Sequence, residues 1–144
     1  MNNDDVMVYI AAPFFTEEQL RVVMRVEAAL FALGIKFYSP RADGVLKDMD
    51  PEEQASSRRR IFDLNIANMN ACTHTVACVE HKDSGTTFEI GFQCASKKPI
   101  ILFSEKMDLI NVMLAESAFA LCDKAEMLEE SINGLYTVKI GEVI

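Results

Sequence analysis

The sequence predicts an α/β sandwich: a mainly parallel five-stranded sheet with helices on both faces, of the three-layer flavodoxin- or Rossmann-like kind. Three observations carry this. Short apolar, β-branched runs recur at residues 6–12, 35–39, 73–79, 98–103 and 135–140, most of them too continuous for strands with one face in water. Between them lie segments with helical start signals and a 3.6-residue apolar period. The resulting β-α-β-α-β-α-β-α-β order is the one that right-handed crossovers fold into a parallel sheet. The 144 residues suffice for one domain with a substantial core and not for two, so 1–144 reads as a single domain.

The first strand, Val6-Met-Val-Tyr-Ile-Ala-Ala12, is buried on both faces and stops at Pro13. Tyr9 brings into it a hydroxyl that needs a partner. Thr16 and Gln19 form a Thr-x-x-Gln capping box, with Phe15 placed to staple onto Leu20. Leu20, Val23, Met24, Leu30, Phe31 and Leu33 follow the helical period, and Gly34 ends the helix. A short strand at 35–39 ends at Pro40, and a mixed-charge loop follows. Asp50-Pro51-Glu52-Glu53 opens a second helix with an N-cap, a first-position proline and acids in the first turn, running to about Ala71. Phe62, Ile66 and Met69 share its apolar stripe, and Asp63 borders that stripe. After the third strand, residues 92–96 read as helix and 98–103 as the fourth strand. From Asp108, a candidate cap, helical signal continues to about Glu130. Asn133-Gly134 is a turn before the last strand, 135–140.

Composition narrows the function classes. The formal net charge of -8 argues against nucleic-acid polymers as partners, because binding them takes an excess of Lys and Arg. Small nucleosides need only a local pocket. No apolar run approaches a membrane span, and the polar, acidic opening Met1-Asn-Asn-Asp-Asp5 is unlike a signal peptide. A cytoplasmic protein is therefore expected. The four cysteines contain no C-x-x-C pair and read as reduced and buried. Cys72, His74, Cys78 and His81 match no usual zinc spacing, so neither a metal nor a cofactor is expected. Arg58-Arg59-Arg60 fan over about 200° of helix, which suits a solvated, acid-paired surface with at most one turned inward.

The chemistry concentrates in Asp83-Ser-Gly-Thr-Thr-Phe-Glu89-Ile-Gly91. It joins a buried strand to a helix, the place where α/β proteins bind ligands. Glu89 is expected in the first helical turn, where the macrodipole would keep it ionised under partial burial. That suits either plain helix stabilisation or a glycosyl-transferring nucleophile. Asp83 is either a turn residue or N-cap, in competition with Ser84, or the proton-handling partner of Glu89, as in paired-carboxylate glycoside chemistry. Gly85 and Gly91 suggest close backbone approach. The turn after the first strand, Ala11-Ala-Pro-Phe-Phe15, lacks a phosphate-binding glycine motif and suits stacking of a base.

Taken in order, Tyr9-Ile-Ala-Ala-Pro-Phe-Phe, Tyr38-Ser-Pro-Arg41, Asp63-Leu-Asn65, the Asp83–Gly91 stretch, Lys98-Pro-Ile-Ile-Leu-Phe-Ser104 and Ile110-Asn-Val-Met113 resemble the nucleoside 2-deoxyribosyltransferase family over most of the chain. The resemblance implies transfer of 2-deoxyribose between bases through a covalent deoxyribosyl-Glu89 intermediate with retention, and a place in nucleotide salvage. It implies Glu89 as nucleophile, Tyr9 holding that carboxylate, Asp83 handling the base proton and Asp63 as a further active-site acid. Phe14 would lie against the base, with Gly85 also at the site. Asn111 and Met113 would be contributed by a neighbouring subunit, Asn111 to the 5′-hydroxyl. Partners would be 2′-deoxyribonucleosides, free purine and pyrimidine bases, and further copies of the chain in dimer-based oligomers, often hexamers. Val112 stands where the family has leucine, and the loop after Pro40 varies. The nearest alternative is an N-glycosidase of 2′-deoxynucleoside 5′-monophosphates with water as acceptor. Those enzymes carry a Gly-, Ser- and Arg-containing phosphate loop where this chain has Ala11-Ala-Pro-Phe14. A non-catalytic nucleoside sensor is the third reading.

Overall fold

The computed structural model describes residues 2–144. Strands β1 (Met7–Ala11), β2 (Lys36–Tyr38), β3 (His74–Cys78), β4 (Ile100–Phe103) and β6 (Ala120–Cys122) form one sheet in the order β2-β1-β3-β4-β6. Every pairing in it is parallel. The alternation of the strands explains the layers. Val8, Ile10, Val76, Ile101 and Phe103 face one side, against helix α1 (Glu17–Ala32) and the short helix α5 (Leu128–Ile132). Tyr9, Ala11, Ala77, Ile100 and Leu102 face the other, against helices α2 (Pro51–Ala71) and α3 (Ser84–Ala95). Both sheet faces are dry, which is why the strands read as unbroken apolar runs.

The helix starts follow their capping residues. In α1 both halves of the Thr16–Gln19 box are made, and Gly34, at φ 70, adopts the left-handed turn that ends the helix. In α2 the Asp50 side chain accepts from Glu53 N at 2.8 Å, with Pro51 first in the helix. The buried stripe of α1 is Val22, Val23, Val26 and Leu30. Met24 and Phe31 lie outside it, Phe31 81% exposed, because each is about 100° round the helix from a buried neighbour. Phe15 packs against Phe14 with the rings tilted and their centroids 4.7 Å apart. Among the described residues no helix is long and apolar enough to cross a membrane.

The C-terminal third departs from expectation. Its continuous helix is instead a short strand β5 (Leu109–Ile110), helix α4 (Val112–Ser117), strand β6 and a 3₁₀ turn before α5. Asn111, not Asp108, caps α4. The fifth sheet strand is Ala120–Cys122 rather than residues 135–140. Those residues lie along the edge of β6 without forming a ladder. Val138 N donates to Leu121 O at 3.0 Å, but Leu121 N donates to the Thr137 side chain, also at 3.0 Å. A hydroxyl taking the place of a carbonyl interrupts the repeat. The chain then passes Gly141, where a β-carbon would meet the Asp108 carbonyl oxygen at 2.6 Å. It adds strand β7 (Glu142–Val143) in parallel to β5.

The strand order sets the site. The chain leaves β1 toward β2, then returns past β1 to build β3, so β1 and β3 flank the point where the winding reverses. The carboxyl ends of strands at such a point diverge into a crevice.

Candidate active site

A cavity of about 310 Å³ fills that crevice. Its walls come from the turn after β1, the loop after β2, one face of α2 and the start of α3. Phe14, Phe15, Leu46, Phe62 and Phe88 make it strongly apolar. Its ionisable or amide side chains are Asn65, Asp83 and Glu89, and among the described residues no Lys or Arg lines it. A half-open apolar slot with a few convergent polar groups is how proteins hold small flat ligands.

Glu89 is the sixth residue of α3. It therefore lies in the second turn, not the first, and the dipole that falls off within the first turn gives it little support. Its charge depends instead on Tyr9. Tyr9 is fully buried in the middle of β1, and its hydroxyl donates to Glu89 Oε2. Burial pushes the Glu89 carboxyl up to about 7, the Tyr9 hydrogen bond pulls against this, and the Asp83 charge adds to the rise. Burial, and after it the Glu89 charge, raise the Tyr9 hydroxyl well above its ordinary value, so it stays a donor. Because the folded pKa of Glu89 is raised, any stability this group contributes is present below its ordinary 4.5 and lost as pH rises through about 7. The fold thus holds a carboxylate that is half ionised near neutrality and poorly solvated.

Asp83 is the N-cap of α3, so Ser84 is not. Its Oδ2 accepts from Thr86 N at 2.8 Å and from Thr86 Oγ1 at 2.7 Å. That fixes the carboxylate and leaves Oδ1 for a ligand. Capping and a place at the cavity wall are therefore compatible. Gly85 lines the same wall, and a β-carbon there would lie 3.4 Å from Asp83 Oδ2. Gly91 faces open space, so close approach does not explain it.

The other expected residues divide. Phe14 lines the cavity. Asp63 does not: it is 62% exposed and lies 3.6 Å from Arg59 on the outer side of α2. One helical step separates it from Phe62, and two from Asn65, which does face the cavity. Asn111 and Met113 line a second cavity of about 610 Å³ on the far side of the α3 N-terminus, together with Asp83, Thr86 and the terminal Ile144. There Asn111 Oδ1 accepts from Met113 N at 2.9 Å, and Met113 is 76% exposed. Arg58, Arg59 and Arg60 are all exposed, none turned inward. The Cys72 and Cys78 thiols are pushed up to about 11 and about 12 by burial, as suits protonated core residues. Among the described residues, the side chains that converge at metal-ligand distance are Glu18, Glu80 and His81, a set that contains His81 but not Cys72, His74 or Cys78.

Three residues were not anticipated as functional. Tyr38 ends β2 directly opposite Tyr9, with ring centroids 5.7 Å apart. Its hydroxyl donates to Asp43 Oδ2 and lies 3.3 Å from Asn65 Oδ1. The loop bearing Asp43 is held down by Arg41, which donates twice to Glu27, at 2.8 and 2.6 Å.

A family model described as nucleoside 2-deoxyribosyltransferase matches residues 8–130. A solved structure of a 2-deoxyribosyltransferase from the psychrotolerant bacterium Bacillus psychrosaccharolyticus superposes with a TM-score of 0.78 at 29% identity, covering 85% of this chain and 90% of that one. A conserved protein from Enterococcus faecalis V583 superposes with a TM-score of 0.57 at 16% identity, covering 96% and 90%; that likeness concerns the fold alone. No curated protein matches the sequence.

Proposed function

The chain belongs to the nucleoside 2-deoxyribosyltransferase family and is a transferase enzyme, and from that premise we propose that it exchanges nucleobases on 2-deoxyribose by double displacement at Glu89. The observation that carries this is the Glu89 carboxylate, held from behind by the buried Tyr9 hydroxyl, at the wall of an apolar cavity at the reversal point of the sheet. A Glu89 oxygen attacks C1′ from the face opposite the base. The C1′–N bond breaks and its electron pair leaves with the base. Asp83, held by Thr86, places the proton that neutralises that base. Positive charge developing on the sugar ring faces Glu89, and the step ends in a covalent deoxyribosyl-Glu89 ester. A nitrogen of a second base then attacks C1′ from the vacated face and Glu89 leaves. Two inversions give retention of the β configuration. The same kind of bond is broken and made, so the exchange needs no cofactor. A 2′-hydroxyl would crowd Glu89 and destabilise the cation inductively, which favours deoxyribonucleosides.

The wall of Phe14 and Phe15 suits a stacked base, and the lack of a lining cation, among the described residues, favours a neutral 5′-hydroxyl over a monophosphate. Incubation with deoxyinosine and adenine, followed by chromatography, should yield deoxyadenosine. Hypoxanthine and free deoxyribose alone would make the enzyme a hydrolase and overturn this reading, as would no change at all.

The reading extends to a second copy. Leu109, Val112, Met113, Val143 and Ile144 form an exposed apolar surface around the 610 Å³ cavity, which supports a dimer-based oligomer in which Asn111 and Met113 complete a neighbour's site. Two inactive variants then complement each other. Glu89→Ala mixed with Asn111→Asp, which keeps the α4 cap, should recover about a quarter of the wild-type rate if subunits of a dimer exchange at random. A mixture that stays inactive while its subunits demonstrably exchange would place Asn111 in its own subunit's chemistry.

A further inference from the structure

The cavity has three side chains that can make directed polar contacts, and two have tasks in the exchange. The third, Asn65, is a neutral amide whose orientation follows from its neighbours. Tyr38 Oη carries a single proton and donates it to the Asp43 carboxylate. Burial, and after it this hydrogen bond, raise the Tyr38 hydroxyl above its ordinary value, so the proton stays in place. The same Oη lies 3.3 Å from Asn65 Oδ1. With its proton engaged by the stronger acceptor, Oη can only accept there, and two facing oxygens without a proton between them repel. A half-turn of the carboxamide removes the conflict: Nδ2 donates to Tyr38, and Oδ1 turns away from it. Asn65 lies on the cavity wall of α2, on the same side as Ile66 and Met69.

We propose that Asn65 is a specificity residue which, oriented by Tyr38 and Asp43, presents its carboxamide oxygen to the base and selects bases bearing an exocyclic amino group over their oxo counterparts. The inference rests on reading this cavity as the nucleobase site. An amino group, as in adenine or cytosine, donates to Oδ1. An oxo group in its place sets oxygen against oxygen and leaves two desolvated acceptors unpartnered, the situation that discriminates most strongly in polar pockets. Asp43 and Tyr38 are positioning residues: they touch Asn65, directly or in relay, and not the base.

The test is calorimetric binding of adenine and hypoxanthine to the full-length protein. The wild type should bind adenine about tenfold more tightly, the scale of one directed hydrogen bond. Tyr38→Phe releases the carboxamide to rotate, so the ratio should fall to within about threefold, and Asn65→Ala should do the same by removing the oxygen. A purely structural role for Tyr38 would weaken both ligands together and leave the ratio unchanged. Equal binding by the wild type, tighter hypoxanthine binding, or a wild-type ratio in folded Tyr38→Phe would each overturn the proposal. If Tyr38→Phe does not fold, the ratio in Asn65→Ala decides alone. Transfer from deoxyinosine, measured separately, keeps the two readings apart. Transfer without base preference defeats the Asn65 assignment only. Preference without transfer defeats the double-displacement reading and leaves this one standing.

Discussion

Glu89→Ala should lower deoxyribosyl transfer by at least about 10³-fold, the scale on which loss of a nucleophile is felt when binding contacts remain. The variant loses the attacking oxygen and, with it, the negative charge facing the developing cation. Neither Asp83 nor Tyr9 replaces it, since Asp83 is fixed by Thr86 and the Tyr9 hydroxyl is held protonated by burial. The fold should tolerate the change. The carboxyl is raised to about 7 because its ionised form is poorly housed, so removing it relieves desolvation, which offsets the small void and the Tyr9 hydroxyl left without its acceptor. Loss of rate with an unchanged or higher melting temperature would separate a catalytic role from a structural one. Appreciable turnover by the variant would contradict the assignment.

Tyr9→Phe should give the second-largest effect, and its signature is a pH profile. Glu89 attacks only when ionised, so kcat/KM in the wild type should rise with pH through about 7 and then level off. The Tyr9 hydrogen bond is the influence that lowers the Glu89 pKa against burial and against the Asp83 charge. Without it the pKa rises further and the acid limb of the profile moves to higher pH. At pH 6.5 the variant should lose about tenfold for each pH unit that the limb moves, and the deficit should shrink above pH 9. A variant that is slow by the same factor at every pH would show that Tyr9 acts by packing alone. Tyr9 is fully buried in β1 beside Tyr38, and phenylalanine keeps its volume, so the comparison reports the hydroxyl.

The first two-thirds of the fold could be read from the sequence because its signals are local and agree. Capping residues, apolar period and strand-ending prolines placed β1 through β4 and helices α1 and α2. The last third could not be read that way. Ala120–Cys122 is a three-residue strand embedded in residues that also satisfy a helical pattern, and its strand state is imposed by pairing with β4. Residues 135–140 carry a strand pattern and reach the sheet edge, but Thr137 disrupts the ladder there.

At the site, sequence motifs pointed to turns of chain that border the cavity but not to the angle of each side chain. The Asp63-Leu-Asn65 motif lies beside the cavity, yet the roughly 100° step of a helix sends Asp63 outward to Arg59 and Asn65 inward. The electrostatic reason expected for Glu89 does not hold: α3 starts at Ser84, earlier than its apolar run suggests, because Asp83 caps it. That shift takes Glu89 out of the dipole's reach and makes Tyr9 the residue that tunes it. Tyr38 and Asp43 stood outside the expected set because Tyr38 meets Asn65 only where the fold brings β2 against α2, which no local spacing encodes.

The most direct test of the covalent role of Glu89 is the mass of the protein quenched in acid during turnover of deoxyinosine, followed by peptide mapping. A single deoxyribosyl adduct on the peptide containing Glu89, lost on chase with adenine as deoxyadenosine appears and absent from Glu89→Ala, is the predicted result. Turnover with no adduct on that peptide, accompanied by a product of inverted configuration at C1′, would contradict it.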